Sequence, residues 1–269
     1  MLIWVCALHC EAKPVIDFYR LKKHRDQTAF DLYSKDEMAC VVSGMGRVNS
    51  AAATAWVGGL YSLNSVLAWI NLGVAGSKTV EVGSAFVINK IVDEISGKAA
   101  YPIPLKQKDF TSTSCLTLTK SSTDYPAQGL IDMEASAFFN TATRFSSAEL
   151  VQSIKVVSDN VNHEPDHNKQ RLSTMIQNHQ QTISSFANKL ELVRQQQQAV
   201  SLPNERLQLF LKSAHFTSTQ RSQLKKILIN LLSQNNNEKQ LLELTSQYKK
   251  SHQILDCLTQ HLQQQSQEL

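Results

Sequence analysis

The stretch SVLAWINLGVAGS, residues 65–77, joins a long apolar run to a turn that contains two glycines. Its first nine residues, 65–73, are apolar at positions that point to both sides of an extended chain. This pattern is typical of a strand that is buried on both faces, as in a sheet with helices above and below. The glycines that follow allow a close approach of the backbone at the end of the strand. The stretch therefore indicates an α/β fold.

Other segments before about residue 160 support this prediction. Short β-branched, apolar runs predict strands at 2–8, 39–44, 84–94, 115–119 and 153–159. Residues 46–63 and 132–145, which lie between them, are predicted to be helices. The alternation predicts a three-layer α/β sandwich with a mixed central β-sheet, covering residues 1–195.

The strand signals stop after residue 160. Residues 165–195 are predicted to form one helix, and the glutamine run at 195–198 marks a boundary. Pro203 is expected to open the next helix. Three helices are predicted near 203–213, 218–233 and 237–265, the last of them with heptad-like spacing of its leucines. Residues 196–269 are therefore predicted to be an α-helical appendage.

The composition narrows the class of protein. A net charge of +4 on 269 residues does not indicate nucleic-acid binding. The five cysteines have no CxxC spacing, which predicts reduced thiols, a cytoplasmic location and no metal site. No apolar run approaches the roughly 20 residues that a membrane span needs. The chain is expected to be a cytoplasmic protein that does not bind membranes.

Acidic residues follow several of the predicted strands. Glu11 comes after the first strand, Asp159 ends the last one, and Asp132 and Glu134 begin a helix. In open α/β sheets ligands bind at the carboxyl ends of strands, so these acids are candidate site residues. A carboxylate at the start of a helix also commonly serves as a cap, and this alternative is strongest for Asp132.

Taken in order, the motifs resemble those of the nucleoside phosphorylase/nucleosidase superfamily, and most closely those of methylthioadenosine/S-adenosylhomocysteine nucleosidases. The resemblance covers residues 1–195 and rests on six segments: ALHCE, VVSGMGRVNSA, INLGVAGS, EVGSAFV, DMEASAFF and VVSDN. It implies an enzyme that hydrolyses the N-glycosidic bond of an adenosine-type nucleoside, works as a homodimer and needs no cofactor.

The resemblance also implies roles for individual residues. Glu11 matches the glutamate that activates water. Asp159 matches the aspartate that protonates the purine. Its neighbour Ser158 is expected to contact the substrate. Glu134 matches the glutamate that binds the ribose hydroxyls, and Met133 matches the methionine that packs against the sugar.

Three features depart from the family pattern. Val74 replaces a serine that helps to hold the water, so only its backbone can serve there. Lys155 replaces an arginine. It keeps the positive charge but lacks the planar guanidinium group, which can donate two parallel hydrogen bonds. The segment before residue 115 is short, so residues 120–126 are expected to border the base, with Tyr125 as a stacking residue.

Two alternatives stay open at this point. A phosphorylase would bind phosphate, and Arg47 and Lys155 are the cations that could meet an anion, although Glu11 would repel it. A catalytically weak nucleoside-binding or scaffold protein would instead act through a protein partner of the C-terminal helices.

Overall fold

The computed structural model describes residues 1–26, 29–62, 65–103, 105, 110–165, 168–199, 204–233 and 236–267. The chain divides into two compact units. The first consists of Met1–Ser62 and Val66–Gln195, and the second comprises mainly Gln196–Leu269.

The first unit contains one mixed β-sheet and helices on both of its faces. Its strands are β1 Leu2–Cys6, β2 Lys22–Lys23, β3 Asp31–Lys35, β4 Met38–Val42, β5 Ala68–Ser77, β6 Ala85–Asp93, β7 Ala99–Ala100, β8 Thr111–Thr117, β9 Leu130–Asp132 and β10 Val151–Asp159. Its helices are α1 His9–Tyr19, α2 Arg47–Tyr61, α3 Ala135–Ala142 and α4 Lys169–Gln177, together with the residues up to Gln195 of α5 Gln180–Ala199, and a 3-10 turn covers Ala148–Leu150.

The predicted mixed α/β class is confirmed, but the sheet differs from a flat three-layer sandwich. Strand β10 pairs with both β5 and β6, so β5, β9, β8, β6 and β10 close into a five-stranded barrel. Strands β1, β4, β3 and β2 continue from β5 as an open sheet. The length of β5 explains the difference, since residues 68–71 pair with β1 and residues 76–77 pair with β9 along the same edge.

Alternate residues of the strands supply two separate hydrophobic layers. Leu2, Trp4 and Cys6 of β1 pack with residues of α1, α4 and α5 on one face. Ile3 and Val5 pack with residues of α2 and α3 on the other. Because both faces are buried, β1 carries apolar residues at every position, as the sequence pattern indicated.

The predicted single helix at 165–195 is wrong, because two helices occupy this region. Helix α4 begins at Lys169, where the Asn168 side chain accepts hydrogen bonds from the first backbone N–H groups. It ends at Gln177, and α5 starts at Gln180. Between them, His179 Nε2 lies 2.6 Å from the carbonyl oxygen of Gly83, a tertiary contact that fixes the turn.

The second unit is a group of helices around its own core. The helices are α6 Asn204–Leu211, α7 Ser218–Ser233, α8 Glu238–Thr245 and α9 Ser251–Gln267. Phe210, Phe216, Leu228 and Leu258 are among the buried residues that pack together there. The expected opening of a helix at Pro203 lies outside the described residues.

The predicted helix at 237–265 is also wrong, since it is interrupted after Thr245. The Ser246 hydroxyl donates to the carbonyl of Glu243 at 2.7 Å, which competes with continuation of the helix. The heptad-like spacing therefore spans two helices, α8 and α9, that pack against each other. In the part of the chain that the structure describes, no helix is both long and apolar enough to cross a membrane.

Candidate active site

A cavity of about 400 Å³ opens in the first unit at the carboxyl ends of β1, β5 and β10. Most of the residues predicted for the site line it, namely Glu11, Val74, Met133, Glu134, Ser158 and Asp159. Lys155 and Tyr125, the two other predicted residues, are buried beside it. The fold thus brings together acids that are far apart in the sequence.

Glu11 lies in the first turn of α1, and two backbone groups hold its carboxylate. The N–H of Leu8 donates to Oε2 at 2.8 Å, and the N–H of Val74 donates to Oε1 at 2.9 Å. The backbone of Val74 therefore contacts the predicted base, although its side chain cannot. Burial raises the pKa of Glu11, and the nearby Lys155 ammonium opposes this effect.

Gly73 makes room for this arrangement. A Cβ atom at Gly73 would lie 2.9 Å from Glu11 Oε1 and 3.5 Å from Lys155 Nζ. Gly73 and Lys155 are direct partners in the pairing of β5 with β10. The glycine therefore lets the carboxylate and the ammonium approach the same point on β5.

Lys155 and Asp132 form a buried ion pair behind the cavity. Lys155 Nζ lies 2.8 Å from Asp132 Oδ2, and both side chains are almost fully enclosed. Burial disfavours the ammonium, but Asp132 and Glu134 outweigh it and raise the pKa of Lys155. Burial likewise disfavours the Asp132 carboxylate, but Lys155 outweighs it and lowers the pKa of Asp132. Both members of the pair are therefore charged at neutral pH.

Asp132 also has the helix-start role that the sequence suggested. Its Oδ2 accepts a hydrogen bond from the N–H of Ala135, the first residue of α3, at 2.8 Å. Its Oδ1 accepts another from Thr117 Oγ1 at 2.7 Å. With these contacts and Lys155, the carboxylate is well satisfied without a ligand.

Glu134 lies two residues further on and is held differently. Its Oε1 accepts a hydrogen bond from the N–H of Gly46 at 2.7 Å. Gly46 has a φ of 93°, a conformation that favours glycine, and it is the N-cap residue that precedes α2. Burial and the nearby carboxylates of Asp132 and Glu11 raise the pKa of Glu134 to about 7, despite Lys155. Its carboxyl group is therefore protonated far more readily than an ordinary glutamate.

Asp159 occupies the end of β10, where the pairing with β5 shifts by one residue. Such a bulge re-aims side chains at the edge of a sheet. The Ser158 hydroxyl donates to Oδ1 of Asp159, and the Tyr125 hydroxyl donates to Oδ2 at 2.7 Å. Asp159 and Ser158 both reach the cavity.

Tyr125, predicted as a stacking residue, makes a contact that the sequence did not predict. Its ring is 7% exposed and packs against Leu118 and Ile131, while its hydroxyl donates to Asp159. Tyr125 is therefore a neighbour of the predicted acid, and its stacking role stays a prediction.

Sequence reasoning missed several residues of the site. The N–H of Gly46 could have been suspected from the GMG segment, which has the glycines of a ligand-binding loop. Lys120 belongs to the segment 120–126 that was expected to border the base, and it lines the cavity, whereas no sequence pattern indicated Lys169, which lines it too. Arg47, considered above as a candidate for anion binding, forms a 2.6 Å ion pair with Asp93. Within the described residues, no group of three potential metal ligands is found.

The chain matches no family model, and no curated protein resembles it significantly in sequence. Many solved structures have a similar fold. The apo 5′-methylthioadenosine nucleosidase of Arabidopsis thaliana has a TM-score of 0.55 and 18% identity. It is matched over 70% of this chain and 95% of its own length.

Two bacterial enzymes give the same result. The methylthioadenosine/S-adenosylhomocysteine nucleosidase of Colwellia psychrerythraea, solved with adenine, has a TM-score of 0.57 and 16% identity over 70% of this chain and 95% of that one. The Helicobacter pylori enzyme, solved with an immucillin, has a TM-score of 0.54 and 12% identity over 70% and 97%. The chain has the fold of the methylthioadenosine/S-adenosylhomocysteine nucleosidases.

Proposed function

We propose that this protein hydrolyses the N-glycosidic bond of a purine nucleoside of the adenosine type, such as methylthioadenosine or S-adenosylhomocysteine. One observation carries the proposal. Glu11, Glu134 and Asp159 come from three separate elements and meet in one cavity, each fixed by hydrogen bonds. The fold of the neighbours, one of which contains adenine, supports the substrate class.

The reaction needs a base, an acid and a site for the sugar, and each carboxyl group fits one role. Glu11 takes a proton from the water whose oxygen attacks C1′ of the ribose. Asp159 gives a proton to a purine nitrogen as the C1′–N bond breaks and its electrons move to the base. Glu134 accepts hydrogen bonds from the ribose hydroxyls, and the half-buried Met133 packs against the sugar.

Phosphorolysis is less well supported by the geometry. The two cations considered for phosphate, Arg47 and Lys155, are paired with Asp93 and Asp132. An incoming phosphate would also meet the carboxyl group of Glu11 at the place where it must attack. Water carries no charge and meets no such repulsion, so hydrolysis is favoured.

The test is release of free base from a panel of purine nucleosides, measured with and without phosphate. Glu11→Gln and Asp159→Asn are each expected to lower turnover by about 10²–10⁴-fold, because each removes a proton-transfer group. Glu81→Gln, a change of an exposed glutamate, is the matched control and should keep full activity.

The outcomes separate the three functions. Phosphate-independent release that both variants lose supports the nucleosidase. Release that strictly requires phosphate would identify a phosphorylase. Nucleoside binding without turnover across the panel would identify a binding or scaffold protein.

The family resemblance extends the proposal to assembly and location. We propose a cytoplasmic homodimer in which the helices of residues 196–269 are available to a protein partner. Light scattering of the purified chain tests the dimer, and a monomer at micromolar concentration would contradict it.

A further inference from the structure

Tyr125 is a buried polar residue that the mechanism above does not use. It lies in the segment between β8 and β9, and its hydroxyl donates to Asp159 Oδ2 at 2.7 Å. The exposed fractions of the two residues are 7% and 9%. A hydrogen bond this well enclosed has little competition from water.

The fold holds this pair tightly in place. A Cβ atom at Gly76 would lie 2.6 Å from Asp159 Oδ2 and 2.7 Å from Tyr125 Cε1. Only a glycine on β5 therefore lets the ring and the carboxylate meet. Leu118 and Ile131 pack against the ring and fix its orientation.

The chemistry gives the contact a role in the reaction. When the acid transfers its proton to the base, the O–H bond of the carboxyl group breaks and a negative charge forms on the carboxylate. A hydrogen bond to a charged acceptor is stronger than one to a neutral acceptor, so a fixed donor stabilises the product of proton transfer more than the starting state. The phenol must keep its own proton to do this. Burial and the contact with Asp159 raise the pKa of Tyr125, which keeps the hydroxyl protonated.

We infer that Tyr125 is a positioning residue for Asp159, whose hydroxyl orients the acid and stabilises the carboxylate that forms as the proton leaves. The inference rests on the proposed function. The proton moves only from Asp159 to the base, and the phenolic O–H bond of Tyr125 stays intact.

The test is Tyr125→Phe, which removes one oxygen atom and keeps the ring. We expect kcat to fall on the order of 10- to 100-fold, the range for one hydrogen bond to a charged group, with KM nearly unchanged. A loss of kcat without a change in KM is expected of a residue that acts on the proton-transfer step and not on substrate binding.

Tyr19→Phe is the matched control. Its hydroxyl is enclosed and has no hydrogen-bond partner among the described residues, so removing it should change neither kcat nor KM. A Tyr125→Phe enzyme with the kcat of the wild type would overturn the inference.

A second comparison excludes a purely structural effect. In an Asp159→Asn background, Tyr125→Phe should add little further loss if it acts through the acid. If Tyr125→Phe lowered kcat in that background by as much as it does in the wild type, the positioning role would be contradicted.

A spectroscopic measurement separates this inference from the proposed function. In protein with ¹³C-labelled aspartate carboxyl groups, the Asp159 resonance, assigned by its loss in Asp159→Asn, should change its chemical shift in Tyr125→Phe and keep it in Tyr19→Phe. An unchanged Asp159 resonance in Tyr125→Phe overturns the inference whether or not any nucleoside is hydrolysed. Absence of base release together with a shifted resonance would reject the function alone.

Discussion

At the scale of single residues, Glu134 has a pKa that is raised into the neutral range. Its pKa is raised from an ordinary value of 4.5 to about 7 by burial and by neighbouring carboxylates. Between these two pH values, the Glu134 carboxyl group is protonated in the folded chain and ionised in the unfolded chain. The contribution of this proton to stability is fully present below about pH 4.5 and is lost as the pH rises through about 7.

Glu134→Gln is expected to remove this dependence. The free energy of unfolding of the wild type should fall more steeply between about pH 4.5 and 7 than that of the variant. Urea unfolding at several pH values measures the difference, with Glu81→Gln as the control that keeps the wild-type slope. Equal slopes in wild type and Glu134→Gln would show that the carboxyl group is not perturbed in this way.

The sequence predicted which acids lie near the cavity, but it did not predict the hydrogen bonds and ion pairs that position them. Glu11 and Asp159 follow strands, and that position alone predicts the edge of the sheet where they meet. The Lys155–Asp132 pair and the Tyr125–Asp159 bond join segments 23 and 34 residues apart along the chain. No local pattern contains such contacts, because they depend on how β10 lies against its neighbours.

At the scale of elements, β5 contributes to the site through its backbone. The N–H of Val74 donates to Glu11. Gly73 and Gly76 leave space for side chains that a Cβ atom would push away. The apolar run predicted this strand, although the prediction stopped at residue 73 and the strand continues to Ser77. The missed part is the part that lines the cavity.

Gly73→Ala is expected to lower base release strongly and to cost little stability. The added methyl group would lie 2.9 Å from Glu11 Oε1, the end of a side chain that can swing away once it leaves its two N–H donors. Steady-state turnover and the melting temperature measure the two effects. Gly59→Ala is the control, because Gly59 is an exposed helical residue with no atom within 4 Å of an added Cβ. The Gly59→Ala protein should be slightly more stable than the wild type. A Gly73→Ala enzyme of wild-type activity would contradict the placement of Glu11.

Other elements escaped prediction for physical reasons. Strand β3, DLYSK, is short and polar at both ends, and β9 has three residues that look like the start of the following helix. The breaks at 178–179 and after Thr245 come from side-chain bonds to carbonyl groups. Helical periodicity continues across both breaks, so the apolar pattern alone predicts longer helices than the chain forms.

At the scale of the whole molecule, the two units have separate hydrophobic cores. The site residues all belong to the first unit, and Leu228 and Leu258 belong to a cluster formed by residues of the second. The division between them falls at Gln195 and Gln196. Stability and catalysis should therefore respond differently to changes in the two cores.

Leu228→Ala is expected to destabilise the second unit by about 2–5 kcal/mol, because it leaves a cavity among buried side chains. Base release should persist at temperatures below the transition of that unit. Calorimetry and turnover over a temperature range measure both, with Leu209→Ala, at a site 42% exposed, as the mild control. Loss of activity in Leu228→Ala at low temperature would show that catalysis requires the helical core.

The long strand β5 has one further consequence, for changes in chain length. The N–H of Val74 donates to Glu11, and two residues further along a Cβ atom at Gly76 would lie 2.6 Å from Asp159 Oδ2. A deletion or insertion of one residue between them would turn the following residues to the opposite face. Both ends of the site would then be disturbed by a single event. Homologues that retain this chemistry should vary in loop length around β5 and keep the Gly73–Gly76 segment at constant length.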